Sequence, residues 1–176
     1  MSAIATTWEL RESDPAGKAA AWASKPHVRT AVPNLFVVPA FNEIENLPRL
    51  LEDLESRPEL FPAGSRLFIV DDGSSDGTGE WVERYDGPVP TELVSYGENR
   101  GPGAAFRAGF DAALALCDED ANVVTLEADT TSDLNALSAM FGEIDAGAGL
   151  VLASVHGGGQ MVNVSLFRRF LSRCAG

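Results

Sequence analysis

From Val32 onward, short apolar runs alternate with stretches whose apolar residues recur at helical spacing. The runs read LFVVPA, RLFIVDDG, NVVTLEAD and GLVLAS. After the first run, Ile44, Leu47, Leu50, Leu51 and Leu54 share one helical face. Pro48 fits a helix only in its first turn, so this helix is predicted to begin between Asn42 and Asn46. Ser74, Ser75 and Asp76 offer capping oxygens ahead of a second helix over Thr78 to Tyr85. A third is predicted from Pro102 through Ala105, Phe106, Gly109, Phe110, Ala113 and Leu114, with small residues that allow close packing on a sheet. Leu134, Leu137, Phe141 and Ile144 mark a fourth, closed by the Gly-rich DAGAG before GLVLAS. Strand-like runs alternating with helices predict an α/β fold with a mostly parallel sheet and crossover helices. Residues 1–30 show no sustained apolar period and are expected to form a weakly ordered arm, leaving residues 31–176 as one domain.

Composition narrows the class. With 176 residues, 45% hydrophobic and 22% charged, the chain is long enough for one core and too short to need two. It has no uncharged apolar stretch of about 18 residues, the length that spans a bilayer. Its N-terminus lacks the basic-then-apolar layout of a secretory signal, so a cytoplasmic location is expected. Cys117 and Cys174 stand far apart, suggesting neither a disulfide framework nor a zinc site. The net charge is −13, and residues 31–145 hold 23 acids against 6 bases. So acidic a body argues against a nucleic-acid partner, which needs a basic footprint. Residues 146–176 instead carry Arg168, Arg169 and Arg173 and no acid, beside an apolar face of Val164, Phe167 and Leu171. That segment reads either as a solvated surface helix or as a basic face for an anionic acceptor or an anionic membrane surface.

In open parallel sheets ligands gather at the carboxyl ends of the strands. There this sequence places Pro39 to Glu43, then Asp71 and Asp72, then Glu127 and Asp129. Each has a local alternative: Asn42 and Glu43 as helix caps, Asp72-Gly73 as a turn, Glu127-Ala128-Asp129 as a cap. A phosphate-cradling NTPase is excluded by the lack of GxxxxGK[ST], and a DxDx[TV] phosphatase would need an aspartate where Glu127 stands. Taken together, PAFNE, VDDGSSDGT, ENRGPGAAFRAGF and LEADTTSDL resemble the polyprenol-phosphate sugar transferases, a branch of glycosyltransferase family 2 that includes the dolichol-phosphate mannosyltransferases. The resemblance runs from Leu35 to Arg173. It implies the GT-A fold, a Rossmann-like, mostly parallel sheet with helices on both faces, and an inverting transfer from a nucleoside diphosphate sugar.

The resemblance also implies roles. Pro39, Ala40 and Glu43 wall the nucleotide pocket, and Asp72, with Asp71 and Gly73 beside it, accepts a hydrogen bond from the base. A charged acceptor roughly doubles the strength of such a bond. Asn99, Gly101 and Gly103 match a loop that passes close to the nucleotide, and Arg107 follows one helical turn on, with a plain surface arginine as the alternative. Glu127 and Asp129 stand at the family's acid-x-acid motif, where the first residue is usually Asp. They imply Mg²⁺ or Mn²⁺ on the donor diphosphate, with Asp129 at the reaction centre. A polyprenol phosphate acceptor is already an anionic nucleophile and needs a cationic seat rather than a base. The family has Ser-Arg after the strand that here reads LVLAS; this chain has Ser154-Val155-His156, making His156 the candidate phosphate contact and a plain loop histidine the alternative. Family chains run longer, so the acceptor end is expected to be incomplete at Gly176. Two other functions stay open: a family 2 transferase with a soluble acceptor, for which no base stands near Ser154 to His156, and a non-catalytic nucleotide-binding or interaction domain of the same fold. A homo-oligomer is neither required nor excluded.

Overall fold

The structure, a computed structural model, describes residues 32–117 and 121–153. Strand β1 (Asn34–Ala40) is buried at every position but Pro39, as an apolar run without alternation requires: both faces of the sheet are covered. β2 (Arg66–Asp71) lies parallel on one side of it, with Leu35 opposite Arg66 and Ala40 opposite Asp71. β3 (Thr91–Ser95) extends the sheet beyond β2, and β4 (Asn122–Thr125) pairs with the other side of β1, giving the order β3-β2-β1-β4 with all pairings parallel.

Helices cover both faces, as expected from the sequence. Phe36, Val38, Ala40, Leu67 and Ile69 meet α1 (Leu47–Glu55), α2 (Thr78–Glu83) and α4 (Ala136–Asp145) through Leu47, Leu50, Leu51, Leu54, Val82, Leu137 and Phe141. On the opposite face Leu35, Val37, Phe68 and Val70 meet α3 (Pro102–Leu116) at Ala105 and Ala113. Pro48 sits in the first turn of α1, where its missing N–H costs nothing. Gly109 is where α3 comes closest to the sheet: a Cβ there would run into Val37 and stand 2.9 Å from Val70 Cγ2. Gly109→Val is therefore expected to lower stability by about 2–3 kcal/mol through overpacking, read as a drop in the urea midpoint. An unchanged midpoint would mean that α3 can lift without penalty.

Two elements differ from expectation. β3 was not foreseen, because TELVS has only two adjacent apolar residues, and an edge strand that is half exposed carries little hydrophobic signal. Residues 149–153 of the expected strand GLVLAS lie outside any strand, with Leu150 and Leu152 74% and 79% exposed. An apolar run becomes a strand only against an edge that takes its hydrogen bonds, and among the described residues no strand pairs with the outer side of β4. The N-terminal arm, Ser154 to His156 and the three C-terminal arginines lie outside the described residues. No helix among the described residues is long and apolar enough to cross a membrane.

The connectivity contains a reversal of strand order. The chain steps outward from β1 to β2 to β3, then returns to the far side of β1 to form β4. The carboxyl ends of β1 and β4 thus flank a reversal of strand order, the position at which open α/β sheets take ligands.

Candidate functional site

Four hydrogen bonds stitch the loop after β1 to the loop after β2. Asn42 donates its N–H to Ser74 Oγ at 2.9 Å, Glu43 to Thr78 Oγ1 at 2.9 Å and Ile44 to Asp76 Oδ2 at 3.1 Å. In return Asn42 Oδ1 accepts the N–H of Ser75 at 2.9 Å. Asn42 holds a left-handed backbone, φ 57°, which asparagine tolerates better than most residues. Ser74 and Asp76 thus serve the neighbouring loop, although Asp76 Oδ1 also takes the Thr78 N–H at the start of α2. Glu43 turns back on its own helix: its carbonyl accepts from Asn46 and Leu47, and its carboxylate takes the Asn46 amide at 2.6 Å. Ala40 is buried and its carbonyl receives the Asp72 N–H at 2.9 Å, while Pro39 is half-buried beside it.

Asp71 and Asp72 leave β2 in different directions. Asp71 Oδ1 accepts the Ser74 N–H at 3.0 Å and so shapes the turn. Asp72, only 4% exposed, reaches the other way and clamps the loop after β3. Its Oδ1 accepts from the Tyr96 hydroxyl at 2.6 Å and the Arg100 N–H at 2.8 Å, and its Oδ2 from the Gly101 N–H at 2.8 Å. Burial alone would raise the Asp72 pKa; the Tyr96 hydroxyl, the two N–H groups and the Arg100 charge outweigh it and hold the carboxyl below its ordinary value of 3.8. The same contact, added to burial, pushes the Tyr96 phenol up to about 12, so it remains a donor throughout the physiological range. Arg100 lies over the Tyr96 ring, 5.0 Å from its centre, and pairs with Glu98 at 2.7 Å. Gly73 makes the clamp possible: its φ is +75°, and a Cβ there would stand 2.5 Å from the Asn99 nitrogen.

The third group forms the turn after β4. Leu126 and Ala128 are buried in the core, while Glu127 is exposed and Asp129, within the turn, is half-buried. Both carboxylates reach Thr131: its hydroxyl lies 2.8 Å from Glu127 Oε2 and 2.6 Å from Asp129 Oδ1, and its N–H donates to Asp129 Oδ1 at 3.0 Å. Thr130 between them has φ 59°, a strained conformation for a β-branched residue. No side chain caps α4: Asn135 stands at its N-cap, and Asp133 Oδ1 takes the Asn135 N–H at 3.0 Å in the turn before the helix.

Other candidates fall differently. Gly101, φ +85°, turns the chain into α3, and added Cβ atoms at Gly101 or Gly103 would meet nothing within 4 Å, so both border open space. Asn99 is exposed on the same loop. Arg107 stands on the face of α3 turned from the sheet, its side chain 86% exposed and 3.9 Å from Asp111. His156 lies outside the described residues. Tyr96, Thr78 and Thr131 were not singled out in the sequence, since a tyrosine after an edge strand and threonines in turns are common; the acids they serve were the only signal.

A family model for glycosyl transferase family 2 matches residues 35–171. The chain belongs to glycosyl transferase family 2. It is 32% identical over 152 residues to the polyprenol monophosphomannose synthase of Mycolicibacterium smegmatis, covering 84% of this chain and 55% of that protein. It is 33% identical over 141 residues to the undecaprenyl-phosphate mannosyltransferase of Micrococcus luteus, covering 78% of this chain and 55% of that protein. This family 2 chain thus spans about half the length of these relatives. Among solved structures, residues 1–349 of S. aureus TarS match with a TM-score of 0.50 and 24% identity, over 65% of this chain and 33% of that one. That likeness concerns the fold, GT-A, and the same TarS fragment has also been solved with UDP.

Proposed function

We propose that this chain binds a nucleoside diphosphate sugar together with Mg²⁺ or Mn²⁺ and passes the sugar, with inversion, to a polyprenol phosphate. The observation that carries the reading is the meeting, at the reversal of strand order, of the stitched wall at Pro39 to Glu43 with the paired acids Glu127 and Asp129. Relatives named for polyprenol-phosphate sugar transfer support the acceptor class.

The acid pair suits a hard divalent ion. Two carboxylates converging on one hydroxyl repel each other unless a cation or a proton lies near, and their oxygens are the ligands Mg²⁺ and Mn²⁺ prefer. Among the described residues no group of three or more acids, histidines or cysteines is placed to hold a metal. An ion at this turn would be held by one or two carboxylates and completed by the donor's phosphates. When bound, such an ion neutralises charge on the departing nucleoside diphosphate. The chain's own part is positioning: Thr131 orients both acids, the loops after β1 and β2 form one wall, and the Asp72–Tyr96 clamp holds Gly101 beside the nucleotide. In this reading Asp72 acts on the base-binding wall mainly through that loop. An acceptor phosphate oxygen then bonds to the anomeric carbon as the bond to the diphosphate breaks, the electron pair leaving with the nucleotide. The acceptor is already anionic, so no base has to be tuned. A lipid acceptor would bring the chain to a membrane surface, to which Arg168, Arg169 and Arg173 would contribute charge.

Calorimetric titration with UDP, GDP and their hexose derivatives, with Mg²⁺ or Mn²⁺ and then with EDTA, tests the reading. At least one should bind, and EDTA should weaken it about tenfold or more. A panel without any binding would overturn it.

A further inference from the structure

Of the 15 residues of α3, Arg107 and Asp111 alone carry polar side chains. A helix apolar on every side is ordinarily covered on every side, since a face left in water carries charge. Here the sheet covers one side, where Ala105, Gly109 and Ala113 are buried. On the outer side Phe110 and Leu114 are 37% and 61% exposed. Phe106, Phe110 and Leu114, spaced i, i+4 and i+8, form one stripe along the helix. The Phe106 and Phe110 rings stack with their centres 6.0 Å apart. Arg107 and Asp111 run beside that stripe one turn apart, their side chains 86% and 74% exposed.

We propose that two copies of the chain pair through this face, α3 lying antiparallel to α3 about a two-fold axis near Phe110. Around such an axis the same patch serves both copies, so it has to complement itself. Phe110 meets the partner's Phe110, and Phe106 meets the partner's Leu114. Arg107 comes beside the partner's Asp111, and Asp111 beside the partner's Arg107. The one cation and the one anion of the helix stand on opposite sides of the axis, which is the arrangement self-complementarity requires. The apolar stripe supplies the affinity and the charges set the direction: a parallel pairing would put arginine beside arginine and aspartate beside aspartate. An anionic membrane is a poor occupant, because the face has no net positive charge and residues 31–145 carry 23 acids against 6 bases.

Sedimentation equilibrium of the whole chain reads its mass as concentration rises, and the wild type should pass from one chain to two. Phe110→Asp and Leu114→Asp, each checked for folding by thermal melting, should weaken pairing about tenfold or more, the scale of a central apolar contact. Arg107→Asp and Asp111→Arg should each weaken it severalfold, since either one sets like charges together in both pairs. An equal mixture of those two variants should pair about as tightly as the wild type, because every contact between unlike chains is again a cation with an anion. A single-chain mass up to millimolar concentration, the result if another part of the chain or a different partner covers α3, would overturn the proposal. So would a dimer that survives both apolar substitutions, or a mixture no tighter than either charge variant alone.

Discussion

Asp72→Ala is expected to cost about 2–4 kcal/mol of folding stability and to weaken nucleoside diphosphate binding about tenfold or more. The substitution leaves the Tyr96 hydroxyl and the N–H groups of Arg100 and Gly101 without their acceptor. Hydrogen bonds to a charged acceptor are worth about 1.5–3 kcal/mol each, and water entering the loosened loop recovers part of the sum. Denaturant unfolding and calorimetry read the two effects separately. Tyr96→Phe removes one of the three donors and should move both quantities in the same direction by a smaller amount, about 1 kcal/mol in stability. If Asp72 met the base directly and the clamp had no part, Tyr96→Phe would leave nucleotide affinity intact. The pH dependence has a defined sign. The folded pKa of Asp72 is depressed below 3.8, so its contribution is complete above the unfolded value, about 3.9, and is lost as pH falls through the folded value. The stability gap between wild type and Asp72→Asn should be constant from about pH 7 to 5 and shrink below about pH 4.

Asp129→Asn should remove the dependence of donor binding on a divalent ion. The amide keeps an oxygen for the Thr131 N–H and hydroxyl, now 3.0 and 2.6 Å from Asp129 Oδ1, so the turn can persist while the charge is gone. The ratio of nucleoside diphosphate affinities with Mg²⁺ and with EDTA, large in the wild type, should fall about tenfold or more. Sugar transfer by the active protein should fall about a hundredfold, the scale seen when one preorganised electrostatic contact is removed. Thermal melting should hardly change. A ratio equal to that of the wild type would move the metal role away from Asp129.

How far the sequence could be read depended on where the signal was stored. The buried strands and α1 were legible because Phe36, Val38 and the leucines from Leu47 to Leu54 bury whole side chains, and burial writes itself into hydrophobic spacing. The two strand-end acid pairs were legible for the opposite reason: Asp71 with Asp72, and Glu127 with Asp129, interrupt apolar runs where nothing about packing calls for charge. What Asp72 does was hidden, since its partners lie 24 to 29 residues away and two of them are backbone N–H groups, which no residue type announces. β3 was hidden because half-exposed edges need little apolar surface. GLVLAS misled in the other direction, since an apolar run shows a wish for burial and says nothing of the edge that would accept its hydrogen bonds.

The stitching of residues 42–44 to residues 74–78 bears on timing and on entropy. Three consecutive amides, those of Asn42, Glu43 and Ile44, are held by side chains from a loop more than thirty residues away. They should exchange with deuterated solvent slowly for loop amides that lie near the surface, opening only when the two loops part. A wall already fixed in the free chain loses little conformational freedom when a nucleotide arrives.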